Sequence, residues 1–145
     1  MKRTFAKRSL MSLVAGFFLF GFLLLTAGRA QAQTLGGEHN WFGIDEAQLT
    51  LVSTVATLHT DLAGLQPGTP GHNNKLAHVF YYKEIYRNLT AGVYISVAVK
   101  EALEIFSGTQ GTGTLANGSD VSSAVSVDAA LKQQLYNDAV SLLTN

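Results

Sequence analysis

From residue 45 onward the chain alternates amphipathic stretches with glycine-, serine- and threonine-rich runs, and its apolar positions recur at helical spacing. The first stretch runs from Asp45 to Ala63. Leu49, Val52, Val55, Ala56, Leu58, Leu62 and Ala63 form one face, with Thr50, Ser53, Thr54, Thr57, Thr60 and Asp61 on the other. Asp45 stands three residues before Gln48, a capping-box spacing that predicts the helix start. Gly64, followed by Leu65 and Pro67, predicts a left-handed C-cap.

Gln66 to His72 holds both prolines and reads as a turn, with Asn73 or Asn74 as the next cap. Beyond it, His78, Tyr82, Ile85, Tyr86, Leu89 and Val93 share a face opposite Lys83, Glu84, Arg87 and Asn88. Ile95, Val99, Ala102, Leu103 and Phe106 form another face, and the offset between the two falls at Thr90-Ala91-Gly92. Either one long helix changes neighbours in its middle, or the chain breaks at Gly92. The β-branched residues between Val93 and Val97 also permit a short strand. The helix formers from Lys100 to Phe106 favour helix.

Residues 107–126 lack a periodic apolar set before Val121 and predict a flexible loop. A last helix is expected from Asp128 to Leu143, with Leu131, Leu135, Ala139 and Leu142 as its stripe, widened by Tyr136 and Leu143. The predicted fold is therefore an all-α domain, a small antiparallel bundle of three or four helices.

The N-terminus predicts an address rather than a fold. Lys2, Arg3, Lys7 and Arg8 precede an apolar run from Leu13 to Ala27, and Ala30-Gln31-Ala32 is a small-x-small cleavage pattern. Residues 1–32 read as a signal peptide with a bacterial look, leaving one domain over residues 33–145. The run is short for a membrane-spanning helix, which needs about 20 residues, and no span is expected after cleavage. Export to the periplasm or the exterior follows as the expectation.

Charge sharpens the picture. Five of the ten basic residues lie within the signal, so residues 33–145 keep five against ten acidic ones, a net charge of −5. Such a domain repels phosphate backbones, and nucleic acid is not an expected partner. The chain has no cysteine, which excludes disulfides, a thiol nucleophile, cysteine-ligated zinc and lipoprotein acylation. No G-x-S-x-G or S-x-x-K pattern is present. The inventory points away from an enzyme, and no motif implies a cofactor.

Two pairs of residues remain as candidate sites. His59 lies within the predicted apolar face of the first helix, and His78 at the margin of the second. Together they are candidate ligands for haem, a metal or a small molecule in a bundle. Taken singly, each also reads as a histidine satisfied by one hydrogen bond. Phe80 and Tyr81 fall off the predicted core face and are a candidate interaction surface. Trp41-Phe42 is expected to staple the start of the first helix. The leading functional expectation is an exported, non-catalytic structural or protein-interaction component of the bacterial envelope or exterior, engaging a protein partner or itself. The alternative is a ligand-, haem- or metal-binding bundle using His59 and His78.

Overall fold

The structure, a computed structural model, describes residues 39–108 and 111–145. The expected signal peptide over residues 1–32 lies outside the described residues. Four α-helices make up the described fold: α1 (Ile44–Ala63), α2 (Pro70–Thr90), α3 (Ile95–Ala102) and α4 (Ala129–Leu143). Single 3-10 turns occupy Leu103–Phe106 and Val121–Ser123. The described residues contain isolated antiparallel bridges but no strand, so the all-α expectation holds.

Helix α2 is the centre of the fold, packed against α1, α3 and α4. Neighbours on several sides bury more than the one stripe of Ala77, Tyr81, Ile85 and Leu89, since Val79 and Glu84 on other sides are buried too. This corrects the expectation that Tyr81 is exposed: its ring is fully buried, and its hydroxyl donates to the Val99 carbonyl at 2.8 Å. Thr69 caps α2, its hydroxyl accepting from the His72 N–H at 3.3 Å, and Pro70 takes the first helical position. The expected cap at Asn73 or Asn74 is therefore wrong by about one turn. Proline is tolerated there because the first-turn N–H groups have no partner within the helix.

Helix α1 packs mainly on α2 and buries a narrow strip, Ala47 and Leu51, continued by half-buried Val55, Leu58 and Leu62. The predicted apolar face was too wide. Leu49 is 72% exposed and Val52 55% exposed, and Ala56, His59 and Ala63 also face solvent. A helix flanked by one main neighbour has only one side to bury, whatever the breadth of its apolar sequence. Its cap is Gly43 without a side-chain bond, not Asp45, which instead lies in the first turn, where the helix dipole favours a negative charge. Gly64 is right-handed at φ −93°, so the expected left-handed cap is absent.

The chain breaks between α2 and α3, resolving the ambiguity at Gly92. Gly92 adopts φ +90°, and the Val93 N–H donates to the Asn88 carbonyl at 3.1 Å. A separate helix, α3, then starts at Ile95, so the two apolar faces belong to different helices and need not share a phase.

The described part of residues 107–126 is tied to the rest of the fold by packing and by hydrogen bonds. Val121 and Val125, with Val127 just beyond, insert into the core. Asn73 closes a two-way clasp: its side-chain amide donates to the Ser126 carbonyl and accepts from the Ser126 N–H, both at 2.8 Å. Helix α4 begins where predicted, with Asp128 accepting from the Leu131 N–H at 2.8 Å. Trp41 is buried and bridges to Thr144, and the Phe42 N–H donates to the Leu143 carbonyl at 2.8 Å. The Trp41-Phe42 pair thus fastens the chain's two described ends together, with Phe42 also packed against the core to which Ala47 and Leu51 of α1 belong.

Candidate functional site

A groove of about 500 Å³, partly open to solvent, runs between α1, α2 and the 113–120 turn. Its α1 wall is Leu51, Val52 and Val55, spaced so that one helix presents them along the groove. Phe80 and Tyr86 come from α2 and Leu115 from the turn. The turn holds Leu115 in place by a tight local network. The Leu115 N–H donates to the Ser119 carbonyl and the Gly118 N–H to the Leu115 carbonyl, each at 2.8 Å. The Asn117 side chain accepts from the Ser119 N–H at 2.9 Å.

The charged part of the groove is Lys83, Glu84 and Arg87, all on α2. The sequence pattern placed these three on a solvated face. Glu84 is in fact only 8% exposed, because the 113–120 turn folds over it. One carboxylate oxygen accepts from the Ala116 N–H at 3.1 Å, and the other lies 4.0 Å from Arg87 Nε. Glu84 thereby tethers the turn to α2. Lys83 and Arg87, four residues apart, stand exposed on the same side. The one sequence signal for this site was that spacing: two of the five cations of residues 33–145 fall on consecutive turns of one helix.

The sequence-predicted site residues are dispersed. His59 lies on the solvent side of α1, away from the apolar strip in which it was expected. His78 is 7% exposed and faces α4. Its Nε2 lies 2.8 Å from Asp138 Oδ2 and its Nδ1 2.8 Å from the Asn74 carbonyl oxygen. Both ring nitrogens are therefore engaged, which leaves neither for a ligand. No contact joins His59 to His78, and neither lines the groove. No group of three or more histidine, aspartate or glutamate side chains gathers as a metal centre among the described residues. Phe80 is half-buried and lines the groove, whereas Tyr81 packs in the core at 6.4 Å, ring to ring, from Phe106.

Two tyrosines have shifted acidities. Burial holds the Tyr81 hydroxyl well above the ordinary tyrosine range, with Tyr82 and Tyr136 adding to the effect. Burial does the same for Tyr82, reinforced by the negative charge of Asp138. Burial thus favours the neutral hydroxyl at both positions, and that of Tyr81 is spent on the Val99 carbonyl.

The groove thus offers an apolar wall, one fixed carboxylate and two cationic side chains, with no nucleophile set beside a base. Among the described residues, no helix is long and apolar enough to cross a membrane. No known family model, curated protein or solved structure matches this chain.

Proposed function

We propose that this protein is an exported, non-catalytic binding protein of the bacterial envelope or exterior, and that the groove between α1, α2 and the 113–120 turn is its binding surface. In this reading the four helices form a small antiparallel bundle that follows a cleaved signal peptide, and the partner is a protein or a smaller apolar group that enters the groove. The observation that carries it is the groove itself. An apolar wall interrupted by a few fixed polar groups is the usual make-up of a binding site. Exposed Val52 and Tyr86 extend that wall to the surface.

The test is binding of a neutral apolar dye, N-phenylnaphthylamine, to the purified protein. One saturable site is expected, lost in Val52→Arg, which sends a long charged side chain across the groove from an exposed position. Circular dichroism of the variant is expected to match that of the parent. Absence of saturable binding, or binding indifferent to Val52→Arg, overturns the reading.

A further inference from the structure

We propose that the groove takes a single-chain monoanionic amphiphile, in the class of a medium-chain carboxylate, with its tail along the apolar wall and its head at Lys83 and Arg87. This rests on the groove being the binding surface, and goes further by naming the chemistry of the occupant.

The groove's charge selects the occupant. Residues 33–145 carry twice as many acidic as basic residues, so cations left over for a ligand are scarce. Lys75 is paired with Asp61 at 3.2 Å, and Lys132 donates to the Phe106 carbonyl at 2.7 Å. Of the other three, Arg87 has only the loose pairing with Glu84 at 4.0 Å, and both it and Lys83 line the groove. Their spacing makes them like-charged neighbours on one helix face, an arrangement that is unfavourable by itself and relieved by an anion between them.

Glu84 decides how much negative charge the site accepts. Its carboxylate is buried and bonded to the Ala116 N–H, so it is a fixed part of the protein. Arg87 meets it only through Nε at 4.0 Å, which leaves the terminal guanidinium N–H groups for another oxygen. Two cations beside one fixed carboxylate leave a surplus of one positive charge. A monoanion balances that surplus, a dianion overshoots it, and a cationic head is repelled. The half-buried Val55, Phe80 and Leu115 next to this charge supply a wall for a flexible tail.

Calorimetric titration at neutral pH, where a carboxylate is ionised, compares decanoate, decanol and decyltrimethylammonium on the purified protein. Decanoate is expected to bind tightest and the ammonium weakest. Lys83→Gln is expected to weaken decanoate about fivefold, the scale of one exposed ion pair, with decanol unchanged. Equal affinity for decanoate and decanol, preference for the ammonium, or a Lys83→Gln protein that binds decanoate as well as the parent overturns the proposal. Saturable dye binding together with any of these results removes the monoanion alone. Failure of the dye to bind removes the groove reading beneath it.

Discussion

His78 Nε2 lies 2.8 Å from Asp138 Oδ2, and this contact ties the middle of α2 to α4. The other ring nitrogen faces the Asn74 carbonyl, which only accepts, so Nδ1 carries a hydrogen. The ring stands edge-on to Tyr82 at 5.6 Å between centroids. His78 is a brace between helices. Asp138→Ala should cost about 1–3 kcal/mol, because it strips a buried polar group of its partner. Urea denaturation of Asp138→Ala, His78→Ala and the double variant checks it, with a coupling of about 1 kcal/mol expected. Strictly additive losses would mean that the two side chains do not act as a pair.

Tyr81 and Tyr82 set a limit at the alkaline side. Both hydroxyls are held above the usual value of 10.0 by burial, with the Asp138 charge adding to the shift at Tyr82. The folded state therefore keeps protons that the unfolded chain releases from about pH 10 upward. Stability is fully present below that pH and falls as the pH rises past it. Tyrosinate absorbance from these two residues should appear together with the loss of helical circular dichroism, and Tyr81→Phe should remove one tyrosinate from that coupled step. Ionisation of every tyrosine before any helix is lost would contradict the burial described.

Two glycines differ in what they tolerate. At Gly92 an added Cβ would meet nothing within 4 Å, but φ is +90°. Gly92→Ala should then cost about 1–2 kcal/mol from backbone strain alone. At Gly113 an added Cβ would overlap the backbone carbonyl of Ile105. Gly113→Ala should cost about 3 kcal/mol or more, since no flexible side chain can give way. Thermal melts of the two variants should rank them in that order.

Glu84 holds the 113–120 turn over α2 through the Ala116 N–H. Glu84→Ala should cost about 1.5 kcal/mol, the lower end for a hydrogen bond to a charged group. It should also speed amide hydrogen exchange at Ala116 and its neighbours, leaving α4 unchanged. Unchanged exchange at Ala116 would show that the turn holds without the carboxylate.

The helices were legible in the sequence wherever local chemistry decides them. Asp128 caps α4 as its position implies, and the phase change at Gly92 marked the real break between α2 and α3. What failed depends on neighbours that no local pattern specifies. His59 looked buried because the apolar face of α1 is wide, and only packing against α2 determines which part of it is covered. Tyr81 looked exposed because α2 was read as having one face, when α1, α3 and α4 surround it. The groove was invisible for the same reason. Glu84 meets Ala116 across 32 positions of chain, and a turn read as flexible gave no hint that Leu115 and Ser119 would close a site.

Where a ligand touches the protein is the decisive observable, and amide chemical-shift mapping measures it directly. With decanoate added to isotope-labelled protein, the largest shifts are expected at Val52, Val55, Phe80, Lys83, Leu115 and Ser119, the groove and its turn. The amides of His78 and Asp138, engaged with each other outside the groove, should stay where they are. Shifts centred on His59 or His78 with a silent groove, or no saturable shift at any residue, would contradict the account.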